Sequence, residues 1–178
     1  MKERTRKITA AGMLCALAYA AAAVGRVPLV LFLKYDPKDV VIAAGGLIFG
    51  PLTALSIAVI VSLAEMITIS GTGILGFFMN VVSSCSFACT AAWVYQKKRR
   101  LSGAVAGLLC GWGCMVLLML FWNFLITPIY MGGTREEVVK LLLPVFLPFN
   151  LIKGGLNAAM TAVFYRPMGI ALRRARLI

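Results

Sequence analysis

Six apolar runs, divided by short charged connectors, leave this chain few ways to fold. They cover about Ile8–Val24, Asp39–Phe49, Leu52–Ile69, Ile74–Tyr95, Leu101–Ile126 and Val145–Tyr165. All but the second reach the range of about 17–25 residues that crosses the hydrocarbon layer of a bilayer. Hydrophobic residues make up 61% of the chain and charged ones only 13%, against about half and a quarter in a soluble domain. The sequence therefore predicts an all-α integral membrane protein of six transmembrane helices, one domain over residues 1–178, with too little polar sequence for a separate soluble domain. Basic residues ahead of the first run resemble a signal peptide, but the run is long for one and completes an even set of crossings, so it is read as a retained helix.

The net charge of +12 does not mark a nucleic-acid binder, because the basic residues sit in clusters between apolar runs rather than along one face. They read as topology determinants. Six crossings bring Lys2, Arg4, Arg6, Lys7, Lys97–Arg100, Arg166, Arg173, Arg174 and Arg176 to one side, and only Arg26, Lys34, Lys38, Arg135 and Lys140 to the other. The positive-inside rule then predicts both termini in the cytoplasm of a cell-membrane protein.

Lys153 is left over, inside the last run. A charge within a span is costly and marks a ligand, ion or proton site by default, although snorkelling to the outer surface is an equal alternative on depth alone. Asn150 and, in the fifth run, Asn123 fall at the same depth toward the outer side. Asn80, one turn after Gly76 in the fourth run, either lines a cavity or bonds a neighbouring helix. Glu65 reads as an interfacial acid near the outer end of its helix. The segment Arg26–Lys38 reads as a loop whose apolar Leu29–Leu33 could cap a cavity, followed by Asp39 as helix N-cap. Thr127–Leu143 reads as a long connector with a short surface helix after Thr134. In the first run, Ala16/Ala20 and Ala18/Ala22 are small pairs four apart that permit close helix approach. Spacing leaves open whether they meet an outside partner or this chain itself.

The sequence carries no Walker A motif, no H-E-x-x-H and no G-x-S-x-G, and no His, so neither ATP binding by a P-loop nor hydrolysis is expected. The five Cys read as small apolar packing residues without a metal or disulfide framework. Neutral amides and one cation in an apolar setting suit a flat, apolar ligand with polar edges.

Several stretches resemble one known family. Phe32–Val40, Phe49-Gly50-Pro51, Gly76–Asn80, Trp122–Phe124 with Thr127–Tyr130, and above all Pro148–Gly154 are similar, in order along the chain, to the substrate-binding S components of energy-coupling-factor (ECF) transporters, the riboflavin-specific ones in particular. The resemblance implies the S-component fold and a role without enzyme activity: riboflavin is captured from outside and delivered inward with a transmembrane coupling subunit and two cytoplasmic ATPases. Riboflavin is then cargo rather than cofactor, with FMN as a second flavin to consider. Positions matching Asn123, Asn150 and Lys153 are implied as ligand contacts, with Asn80 and Gly76 from the matching fourth-helix stretch. The first loop, around Leu33, Lys34 and Tyr35, is implied as a lid. The Ala16, Ala18, Ala20 and Ala22 face is implied as the coupling-subunit interface. Two other readings remain: an S component for thiamine, pantothenate or a queuosine precursor, and a membrane interaction protein without a ligand.

Overall fold

The computed structural model describes residues 3–30, 33–69, 71–132 and 135–175, with side chains at 3–4, 28–30, 33–34 and 130–131 outside the description. Helix α1 (Glu3–Gly25) is followed by a short antiparallel hairpin, β1 (Val27–Val30) and β2 (Leu33–Tyr35). Then come α2 (Lys38–Phe49), α3 (Pro51–Thr68), α4 (Gly73–Lys97), α5 (Leu101–Met131), α6 (Arg135–Leu141), a π-helical turn at Leu142–Phe146, and α7 (Leu147–Arg174).

Five stretches are long and apolar enough to cross a membrane among the described residues, namely Thr5–Gly25, Pro51–Thr68, Gly73–Lys97, Leu101–Ile129 and Arg135–Arg174. The sixth expected crossing, α2, has 12 residues, about 18 Å of helix, which is too short to span alone. It lies instead at the centre, touching α1, α3, α4 and α7. Its Val41, Ile42 and Ala43 join Leu14, Ala18, Ile57, Val61, Phe87 and Ala91 in the main core. The outward faces are apolar as well: Leu52, Leu117, Ile129 and Val163 are all exposed. Lipid tails take such side chains at no cost, so the bundle keeps its polar groups inside.

Gly50 separates α2 from α3 with φ +105°, a conformation that a residue with a Cβ adopts only under strain. Its N–H closes α2 on the Gly46 carbonyl at 2.8 Å, and Pro51 begins α3 where a missing N–H costs nothing. The Gly50-Pro51 break thus falls where the sequence predicts it. Between α4 and α5 the approach is closest. A Cβ on Gly107 would lie 2.5 Å from the Ala91 carbonyl oxygen, and one on Gly111 2.4 Å from that of Phe87. With Gly103, these glycines form a four-residue repeat that lets the two backbones nearly touch.

Three expectations change. The segment after Arg26 is not an irregular loop but a hairpin with Val27 opposite Tyr35; Leu31 and Phe32, which join its strands, lie outside the described residues. Helix α5 runs through Pro128 to Met131, so the expected connector from Thr127 is mostly helical. Asp39 is not an N-cap. Pro37 holds that position and makes no side-chain cap, while the Asp39 side chain turns into the core.

Candidate functional site

Helix α7 carries Asn150, Lys153, Asn157 and Thr161, spaced three or four residues apart and hence on one face. All four are buried. The helix reaches this face through a loosened turn. Pro148 has no N–H for the Pro144 carbonyl, and Pro144 none for Lys140. The ladder slips to wider π spacing, with the Leu147 N–H on the Leu142 carbonyl. Such turns mark functional positions in helices often enough to be noted. Below it, Gly154 seats α7 against α5, since a Cβ there would lie 2.2 Å from Trp112 Cδ1.

Lys153 does not snorkel. It is only 7% exposed, and its Nζ donates to Ser83 Oγ at 3.1 Å and pairs with Asp39 Oδ2 at 3.3 Å. Asp39 also accepts from Ser84 and from Asn157 Nδ2 at 3.2 Å. One carboxylate therefore ties α2, α4 and α7 together. The polar side chains offset the cost of burying this ion pair, which Coulomb attraction alone would not repay.

A second network adjoins it. Lys38, fully buried, reaches Glu65 Oε2 at 2.6 Å and Asp36 Oδ2 at 3.3 Å. Arg26 binds the same two acids at 2.7 Å and 3.0 Å, and Asn80 Nδ2 donates to Glu65 at 3.4 Å. Glu65 is thus a fully buried hub, not the interfacial acid the sequence suggested. Asn80 bonds a neighbouring helix through it. Burial pushes the Asp36 carboxyl up, but Lys38, Lys153 and Arg26 outweigh burial and hold it below the usual range. Burial likewise opposes charge on Arg26, yet Asp36 and Glu65 hold its guanidinium above its ordinary value. Across the two networks three cations face three acids, so the buried charge cancels.

These contacts anchor the hairpin at its base. Tyr35 extends the hold, its hydroxyl lying 3.4 Å from Met160 Sδ on α7; burial, then Asp39 and Asp36, raise its phenol above the ordinary range. The side chains of Leu33 and Lys34, the other expected lid residues, lie outside the description. On α5, Asn123 is fully buried. Its Nδ2 donates to the Met119 carbonyl at 2.7 Å and its Oδ1 accepts from Thr127 at 2.9 Å. Thr127, Gly76 and Trp122 line a cavity of about 30 Å³ between α4 and α5, room for little more than water. Asn150 Nδ2 donates to the Phe146 carbonyl at 2.7 Å. Each amide keeps further hydrogen-bonding capacity, one N–H in both cases and the Oδ1 of Asn150.

The structure therefore joins Lys153 to α2 and α4, and Gly76 to the Asn123–Thr127 turn, while Asn80 belongs to the Glu65 network. Sequence reasoning missed Asp39, Asn157 and Thr161. The last two carried a signal, the continuation of the Asn150–Lys153 spacing down the same helix face. The alanines of α1 divide. Ala18 and Ala22 are fully buried, in line with Ala10 and Leu14, and so pack inside this chain instead of facing a partner. Ala16 and Ala20 are exposed.

The family model for the ECF transporter substrate-specific component matches residues 6–165. The chain belongs to this family. The S component is 25% identical over 149 residues to the riboflavin transporter RibU of Staphylococcus aureus (strain TCH60), covering 80% of this chain and 78% of that one. It is 28% identical over 143 residues to the riboflavin transporter FmnP of Bacillus subtilis (strain 168), covering 75% and 73%. Among solved structures, the S component of a bacterial ECF transporter superposes with a TM-score of 0.80 at 25% identity, over 95% of this chain and 98% of that one. The protein is accordingly a multi-pass membrane transport component rather than a member of an enzyme class.

Proposed function

We propose that this S component captures riboflavin from outside the cell and hands it inward with a coupling subunit and two ATPases. The observation that carries the reading is the buried polar face of α7, where Asn150 and Lys153 are buried in line with Asn157 and Thr161. The similarity to two riboflavin transporters supports the choice of vitamin. Lys153, held by Asp39, exchanges its Ser83 contact for a flavin carbonyl. Asn150 and Asn123 use their spare amide atoms on the polar edge of the ring system, beside Gly76. The Asn157 Oδ1 atom, buried without a hydrogen-bond donor among the described residues, adds an acceptor one turn further down. The hairpin with Leu33, Lys34 and Tyr35 acts as the lid, with Asn80 supporting its base through Glu65. FMN, which shares the flavin ring, binds through the same ring contacts.

In this reading α2 completes six membrane-embedded helices and both termini face the cytoplasm, as the clustering of basic residues favours. The exposed small residues Ala16 and Ala20, with Gly12 one turn earlier, meet the coupling subunit. Flavin fluorescence quenching by the purified protein tests the site. Asn150→Ala and Lys153→Ala each weaken binding by about 1–3 kcal/mol, the cost of one lost partner in a desolvated site. Unchanged quenching in both variants rejects the assignment.

A further inference from the structure

A second cavity, of about 950 Å³, opens at the far end of the bundle from the Lys153 site. Its floor is the apolar end of α2, including Ile48 and Phe49, together with Ile170 of α7. Its walls carry three guanidinium groups, Arg99 just beyond α4 and Arg166 and Arg173 on α7. The rings of Tyr95 and Tyr165 meet edge to face across it at 6.4 Å. Gln96 packs over Gly50, its Nε2 only 2.7 Å from where a Cβ would stand, so the glycine break between α2 and α3 also shapes this wall.

The charge here is not balanced from within. Of the six acids in the chain, Asp36, Asp39 and Glu65 are committed to the buried networks at the opposite end. Glu136 and Glu137 stand at the start of α6, the whole length of α7 away, and the sixth acid, Glu3, begins α1 with its side chain outside the description. Among the described residues none of Arg99, Arg166 and Arg173 has an acidic partner; Arg166 Nε donates to the Tyr165 hydroxyl at 3.5 Å. Lys97, Lys98 and Arg100 add to the same positive field. Leu172 packs with Ala10, Ile48 and Phe49, which brings the basic start of α1 to this end as well.

An apolar floor under a ring of unneutralised guanidiniums, at the level where apolar spans end, matches an amphiphilic anion. Arginine binds phosphate oxygens in a bidentate fork, and basic pockets between membrane helices hold phosphate head groups. We propose that this cavity binds an anionic phospholipid, its phosphate between Arg99, Arg166 and Arg173 and its glycerol and first acyl carbons over Ile48, Phe49 and Ile170. The lipid supplies counter-charge where no described acid pairs with the three arginines, and fills the gap between α2, α4 and α7. The site is independent of the riboflavin reading, since it shares no residue with the vitamin site.

Native mass spectrometry of the full chain, released from detergent mixed with phosphatidylglycerol or phosphatidylcholine, tests the proposal. The wild type retains phosphatidylglycerol preferentially. Arg166→Gln with Arg173→Gln reduces that retention by about 25-fold, some 5-fold for each arginine near the head group. Arg135→Gln, a charge loss outside the cavity, leaves it unchanged. Thermal unfolding of each variant establishes that it remains folded; if the double variant is unstable, Arg99→Gln alone gives the ~5-fold reading. Equal retention of both lipids overturns the proposal. So does an equal loss in Arg135→Gln, which indicates diffuse attraction, or inorganic phosphate binding to the cavity as tightly as the lipid, which makes free phosphate the ligand.

Discussion

Replacing Asp39 with Asn tests whether the core is held by the Asp39–Lys153 pair. The change keeps the shape of the side chain but leaves the Lys153 ammonium, only 7% exposed, with neutral partners alone, Ser83 at 3.1 Å among them. Breaking a buried pair on one side costs about 3–5 kcal/mol. The surviving serine contact argues for the lower end, about 3 kcal/mol. Lys153→Met removes the other partner, but Asp39 keeps Ser84 and Asn157, so the loss is smaller, about 2 kcal/mol. The double variant buries no net charge and costs only about 1–2 kcal/mol, because a neutral replacement is tolerated where half a pair is not. Thermal or denaturant unfolding in detergent, without ligand, reads all three. At about 2–4 °C per kcal/mol for a chain of this size, Asp39→Asn lowers Tm by about 6–12 °C, and the double variant recovers most of that. If the two single effects add within about 0.5 kcal/mol, the pair is not coupled and the account of the core is wrong.

Other outcomes follow from the same contacts. Gly154→Val drives a branched side chain into Trp112 and should cost at least about 1–3 kcal/mol, with Trp112→Leu restoring part of the loss in the same unfolding assay. Gly111→Leu forces α5 away from the Phe87 carbonyl on α4; it should reduce folded yield on size exclusion more than Gly113→Leu, since Gly113 faces open space. Asp36 has its folded-state pKa held down by Lys38, Lys153 and Arg26 despite burial. Its contribution is fully present above the ordinary aspartate pKa of about 4 and is lost as pH falls below that value. Tm should therefore drop between pH 5 and pH 3, and drop less in Arg26→Gln; an equal drop in that variant removes Asp36 from the explanation.

Much of the bundle was legible because hydrophobic run length and a few breakers carry it. Gly50-Pro51 ends α2 where expected, and the basic connector before Leu101 separates α4 from α5. Long-range polar pairing was not legible. Glu65 late in an apolar helix looks like an interfacial acid until Lys38 and Arg26 are brought to it across the fold. Asp39 ahead of an apolar run looks like a cap until α7 delivers Lys153 and Asn157 to it. The alanines of α1 gave the right spacing but could not say which of two interleaved stripes faces inward; the structure buries Ala18 and Ala22 and leaves Ala16 and Ala20 exposed. The hairpin was hidden for a different reason, since its strands are three and four residues long and two prolines and several charges there read as a loop.

The central claim is that this S component selects riboflavin. A binding titration of the purified full chain against riboflavin, FMN, thiamine and pantothenate tests it most directly. Saturable, one-to-one quenching of riboflavin fluorescence is expected, which neither thiamine nor pantothenate displaces and which Lys153→Ala and Asn150→Ala weaken. Saturable binding of thiamine or pantothenate, with riboflavin left unquenched, would contradict it.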